Sequence, residues 1–524
     1  MIEKNEHNSA TLLSYDAQTD ILVGKSTKAE TIRLGYANRH GLISGATGTG
    51  KTVTLQKLAE EFSNAGVPVF ASDIKGDLSG VAVAGDGAAH FVKRAEDIGL
   101  TYEPDRFPVI FWDLFGEQGH PVRATIMEMG PLLLSQLLEL NDTQEGILNI
   151  AFRVADDHQW PVVDLKDLRA LLNYLGENQT EIKTKYGNVT KDSIGTIQRQ
   201  ILMLENQRGD LFFGEPALDI KDFMRTDRDG RGYINILASD KLMSRPRLYS
   251  SFLLWLLSQL FEVMPEVGDP DKPKLVFFFD EAHLLFNNIS KNLLTAIEQM
   301  VRLIRSKGIG VYFVTQNPLD LPETVLGQLG NKVQHALRAY TPRDQRAVKA
   351  AAETFRQNPA FSAEKAITEL GVGEALVSTL QEKGAPSIVE KTLIAPPFAH
   401  VGPITEEERQ KVIADSPYRG KYDEAYDRES AYEILSQKQD LDINSNAVEG
   451  PSGWWDSILG TGNGNTAQNQ QQSTPKGRPG RQPASPVETI LKTATTSLAR
   501  SVGTELARAI KRGILGSLTG RDRK

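Results

Sequence analysis

The feature that most constrains this chain is the octapeptide GATGTGKT, residues 45–52, set between the apolar run His40–Ser44 and the helix-like run VTLQKLAEEF. Gly-x4-Gly-Lys-Thr at a strand-to-helix turn is a phosphate cradle, and it commits the chain to an α/β layer. Gly45, Gly48 and Gly50 permit backbone conformations and close approach that a Cβ blocks, so consecutive N–H groups can point at an anion. Gly45, Ala46, Thr47, Gly48, Thr49, Gly50, Lys51, Thr52 and Val53 are therefore the expected nucleotide-binding set. Lys51 is expected to reach the β and γ phosphates, and Thr52 to offer a hydroxyl to Mg²⁺. The positive end of the following helix favours the same anion.

Such a loop needs a second strand ending in an acid, and KLVFFFDEAH (residues 274–283) supplies it. Asp280 is expected to hold Mg²⁺ through water, with Glu281 as base for, or orienter of, the attacking water. The pair points to nucleoside triphosphate hydrolysis rather than transfer to an acceptor. GVYFVTQNP ends in Gln316, a polar side chain placed to contact both the γ phosphate and that water. VFASDIKGDLSG carries Asp73, Lys75 and Asp77 just past another strand, where phosphates and partners bind in open α/β sheets; a charged surface turn reads the same way.

Seven short apolar runs, HGLIS, VPVFASD, PVIFWDL, GYINIL, LVFFFDE, GVYFVTQ and KVQHALRAY, alternate with helical patterns and predict a mostly parallel sheet buried on both faces. The expected division is an N-terminal hairpin and first half of the core (1–126), an all-helical insertion (127–225), and the second half of the core ending in a β-hairpin (226–400). A helical extension (401–439), a disordered linker rich in Gly, Asn, Gln and Pro (440–486) and a basic amphipathic helix (487–524) complete it. Lys476 to the C-terminus holds eleven Lys or Arg against three Asp or Glu, whereas the whole chain carries a net charge of −8. The tail is a separate electrostatic object, suited to a neighbouring subunit, DNA or an anionic membrane surface.

The acidic balance argues against a surface coated for nucleic acid, but not against a basic channel. With no cysteine, disulfides, thiolate metal sites and cysteine nucleophiles are excluded, and a cytoplasmic location is the expectation. The most apolar long window, Phe252–Met264, contains Ser258, Gln259 and Glu262 and is too short to span a bilayer.

Together the glycine loop, DIKGDLSG, FFFDEAHLLF and RSKGIGVYFVTQNP resemble the HerA/FtsK superfamily of ring-forming P-loop motor ATPases, from about Ile32 to Tyr340, and most nearly its bacterial YjgR-like branch. The resemblance implies a RecA-like fold, ATP and Mg²⁺ as ligands, and a homo-hexamer that translocates or remodels DNA. It assigns Lys51 and Thr52 to nucleotide and Mg²⁺, Asp280 and Glu281 to the Walker B position, and Gln316 to nucleotide sensing. Arg305, ahead of Arg302 and Arg338, is the expected cation donated across a subunit interface. Action on a protein partner, possession of a nuclease partner, and a nucleotide-dependent assembly switch stay open. Two departures stand out: only residues 1–44 precede the glycine loop, where HerA proper has a β-barrel domain, and the membrane helices of FtsK and the coupling proteins have no counterpart.

Overall fold

A computed structural model describes residues 13–286 and 291–438. The expected linker and basic C-terminal helix lie outside these residues. Twelve strands form one sheet: β1 (Asp20–Lys25), β2 (Ala29–Arg33), β3 (Gly41–Ser44), β4 (Val69–Asp73), β5 (Val109–Asp113), β6 (His120–Pro121), β7 (Ile234–Ala238), β8 (Leu275–Phe279), β9 (Ile309–Thr315), β10 (Asn331–Gln334), β11 (Glu374–Ser378) and β12 (Glu390–Ile394). Their spatial order is β2-β1-β12-β11-β10-β3-β9-β8-β4-β7-β5-β6. From β10 to β6 every neighbour is parallel. The hairpins β1–β2 and β11–β12 extend the same sheet in antiparallel fashion, joined through β1–β12 and β10–β11.

The central strands are apolar throughout because both faces are covered. In β8, Leu275, Phe277 and Phe279 enter one core and Val276 and Phe278 the other; in β9, Ile309, Val311 and Phe313 oppose Tyr312 and Val314. Period-two alternation thus places each residue in a core of its own side. One core is roofed by the helix Lys51–Asn64 and by Ala399. The other holds the buried helix Pro246–Val263, which contains the most apolar window of the chain, and the helices at 126–206. Among the described residues no helix is long and apolar enough to cross a membrane.

Helices Ile126–Leu137, Asp142–His158 and Leu165–Glu177 begin at capping boxes on Thr125, Asn141 and Asp164, which satisfy first-turn N–H groups. Leu148, Phe152, Leu168 and Ile197 share one apolar cluster with Phe277 and Phe313 of the sheet, so this helical segment is continuous with the core.

Two expectations need correcting. The run KVQHALRAY is a strand only as far as Gln334, because His335 turns into the protein to bond the glycine-loop helix. The segment after residue 400 is helical only at Glu406–Ala414 and 431–438. Between them an irregular strap packs Tyr418 and Tyr422 on Trp112, with ring centroids 5.6 and 5.5 Å away. The Tyr422 hydroxyl donates to Asp222 at 2.5 Å, and Ser430 bonds the buried Asp167 of the helical segment.

Candidate active site

Four adjacent parallel strands, β3, β9, β8 and β4, deliver the site at their carboxyl ends. The glycine loop leaves β3 at Ser44 and opens the helix Lys51–Asn64. Gly45, Gly48 and Gly50 have φ of 154°, 77° and 111°, which a side chain would strain. A Cβ on Gly45 would meet the Cβ of His335 at 2.5 Å, whereas one on Gly48 would meet nothing within 4 Å. The open side of the loop is thus at Gly48. The loop is tied down by Ala46 N–H donating to Ala336 O at 2.8 Å and by Gly373 N–H donating to Thr49 O at 3.1 Å. The Lys51 ammonium donates to Ala46 O at 3.1 Å, and burial lowers its pKa against the pull of Glu281 and Asp280.

Asp280 follows β8 and is buried; desolvation, then the neighbouring Glu281 charge, push its pKa up to about 6. It accepts Glu281 N–H at 2.9 Å, and among the described residues no cationic side chain forms an ion pair with it. A buried acid in that condition, within electrostatic reach of Lys51, fits a divalent cation, which would replace the missing positive charge. On the neighbouring strand, Asp73 at the end of β4 is likewise buried, and desolvation with the Asp280 charge pushes its pKa up to about 7. It accepts the N–H groups of Gly76 and Leu78 at 2.8 and 3.1 Å and shapes the turn that carries Lys75.

Glu281 is a non-glycine residue at φ 45°, a strained setting that aims its carboxylate across the strand ends. Its Oε1 accepts Lys75 Nζ at 2.8 Å and Gln316 Nε2 at 3.2 Å; Oε2 accepts the same amide at 3.2 Å. His283 Nδ1 stands 3.4 Å from Oε2. Burial raises the Glu281 pKa, but the Lys75 hydrogen bond and charge, Gln316 and His283 together hold it below the ordinary carboxylate value.

The sequence profile of the family described as Helicase HerA-like C-terminal matches residues 18–524. The chain belongs to this family. It is 22% identical over 396 residues to the DNA double-strand break repair helicase HerA of Saccharolobus solfataricus, covering 72% of this chain and 69% of that protein. It is 23% identical over 349 residues to the probable helicase MJ1565 of Methanocaldococcus jannaschii, covering 65% of this chain and 60% of that one. A solved structure of the plasmid coupling protein TrwB in complex with ADP and Mg²⁺ aligns with a TM-score of 0.46 and 16% identity, over 70% of this chain and 88% of that one.

In this HerA-like chain Lys51, Thr52, Asp280, Glu281 and Gln316 come together, and Arg305 does not. Arg305 precedes β9, at the opposite end of the strands from the glycine loop, where its guanidinium pairs with Asp269 at 3.2 Å. Asp269 also holds Arg39 at 2.8 Å. Position 301, one turn before Arg305, is a valine, and the partner of Arg305 comes from another part of the chain. Sequence reasoning also missed His335, whose Nε2 lies 2.8 Å from Thr54 Oγ1 and whose Nδ1 lies 3.0 Å from Glu374 O. That ring locks the glycine-loop helix to β10 and β11, and burial lowers its pKa to about 4. A histidine directly after an apolar strand was the available signal, but its partner at Thr54 is 281 residues away in the chain.

Proposed function

We propose that this protein is an ATP-hydrolysing ring motor that translocates or remodels DNA. The observation that supports the reading best is the convergence of Lys51, Asp280, Glu281 and Gln316 from neighbouring strand ends beside a glycine loop. In this reading the loop N–H groups and Lys51 bind the phosphates, Thr52 and Asp280 hold Mg²⁺, and Glu281 takes a proton from water. The water oxygen bonds the γ phosphorus, the bond to the β–γ bridging oxygen breaks, and ADP and inorganic phosphate leave. Mg²⁺ supplies charge neutralisation on the phosphate oxygens when bound.

Gln316, hydrogen-bonded to Glu281, reports whether the γ phosphate and water are in place. Arg305 lies at the opposite end of the strands from its own site, which favours its use in a neighbouring subunit's site within a homo-hexamer. The test is ATP turnover with and without duplex DNA. Lys51→Ala is expected to lose nucleotide binding or turnover, and Glu281→Gln to bind but not hydrolyse. Near-normal turnover by folded Glu281→Gln would sink the assignment. Turnover indifferent to DNA but raised by a protein fraction would move the substrate to a protein partner.

A further inference from the structure

Both oxygens of Glu281 are engaged. Lys75 and Gln316 donate to Oε1, Gln316 donates also to Oε2, and His283 stands beside Oε2. A carboxylate held by a cation in a charge-assisted bond is a weaker proton acceptor than one released from it, so freeing Glu281 from Lys75 makes it a better base for water. Gln316 is neutral and the His283 contact is long. Lys75 carries a full charge, makes the shortest bond at 2.8 Å, and keeps 48% of its side chain exposed while Glu281 keeps 6%. Its ammonium can therefore leave Glu281 without itself being stripped of water. Lys75 also lies within electrostatic reach of Asp280 and Lys51, the groups expected to flank a bound triphosphate.

Resting on the reading above, we propose that Lys75 is a two-position cation that restrains Glu281 when the site holds no triphosphate and turns to the terminal phosphate of a bound nucleoside triphosphate, freeing Glu281 for water. The terminal phosphate of a triphosphate carries more charge than one carboxylate, so it competes for the ammonium. A diphosphate lacks that group and leaves Lys75 on Glu281. Lys75 thereby distinguishes triphosphate from diphosphate and couples the distinction to the base. Asp73 fixes the turn from which Lys75 projects through its bonds to Gly76 and Leu78 N–H.

The test uses the full chain with Mg²⁺ and two fluorescent probes, methylanthraniloyl-ADP and the methylanthraniloyl β,γ-imido triphosphate, in wild type, Lys75→Met and Lys51→Ala. Lys75→Met is expected to leave ADP affinity within about twofold and to weaken the imido triphosphate about tenfold, the loss of one charge-assisted bond. Equal weakening of both probes, or of neither, overturns the proposal. If Lys75→Met does not fold, Lys75→Gln, which keeps a donor for Glu281 without the charge, is held to the same ratio. Loss of all discrimination by Lys51→Ala alone, with binding otherwise intact, also overturns it. Should Lys51→Ala bind both probes as wild type does, the nucleotide-site reading itself fails, a result distinct from an unchanged ratio in Lys75→Met.

Discussion

Glycines 45 and 48 look alike in the motif but face different surroundings. Ala at Gly48 meets open space and bears only the left-handed backbone cost, roughly 1–2 kcal/mol. Ala at Gly45 adds a collision with His335, and we expect about 3 kcal/mol or more of destabilisation. Urea unfolding of the two variants checks the contrast, with nucleotide affinity as the more sensitive readout for Gly48→Ala. Two buried histidines set a pH dependence. His40 Nδ1 accepts Val311 N–H at 3.0 Å while Nε2 bonds Val301 O at 2.9 Å, and burial, with Arg305 nearby, lowers its pKa to about 4, as burial does for His335. Because the folded pKa lies below the unfolded value, the stabilisation is complete above about pH 6.5 and is lost as pH falls toward 4. Each ring is expected to contribute on the order of 3 kcal/mol across that window, measured as the unfolding midpoint against pH. A flat profile, or His40 and His335 imidazole signals that titrate near 6.5 in the native protein, would contradict this.

At the scale of elements, periodicity made the seven parallel strands legible, since a strand covered on both faces shows a continuous apolar run. It did not reveal β6, only two residues long, or the end of β10 at Gln334, where an inward histidine continues the apolar pattern after pairing stops. The strap between residues 415 and 430 was illegible for a related reason. Its anchors, Tyr418 and Tyr422, read as ordinary polar-region aromatics until Trp112 and Asp222 are brought beside them. Tyr422→Ala should cost about 3–5 kcal/mol by removing a fully buried ring, and Tyr422→Phe about 2 kcal/mol by removing the hydroxyl's two hydrogen bonds, to Asp222 and from Asp219 N–H. Differential scanning calorimetry tests the pair; equal effects would mean that packing on Trp112 contributes little.

At the scale of the whole molecule, the position of Arg305 gives a prediction about assembly. Its pairing with Asp269 is partly exposed, so Arg305→Ala should change the stability of the single chain by less than about 1 kcal/mol. If its function is in a neighbour's site, the same variant should nevertheless lose most ATP turnover in the assembled ring. Mixing Arg305→Ala with Lys51→Ala subunits, each inactive alone, is expected to restore a fraction of activity, because some interfaces then join an intact arginine to an intact loop. Mixed rings with no recovery would exclude donation by Arg305.

The sequence by itself determined the phosphate loop, the acid pair after β8 and the layered α/β architecture, because each depends on residues within one turn or one strand of each other. Local sterics fix the glycine turn, and a short apolar run fixes a buried strand. Only the tertiary structure decided the strand order that inserts β9 and β8 between β3 and β4, and with it which strand ends meet. The Lys75–Glu281 bond joins residues 206 positions apart, and the Asn38 side chain reaches the carbonyl of Arg305 across 267. Such pairings follow from how two apolar faces of one sheet are covered, a property of the packed whole that no local pattern carries.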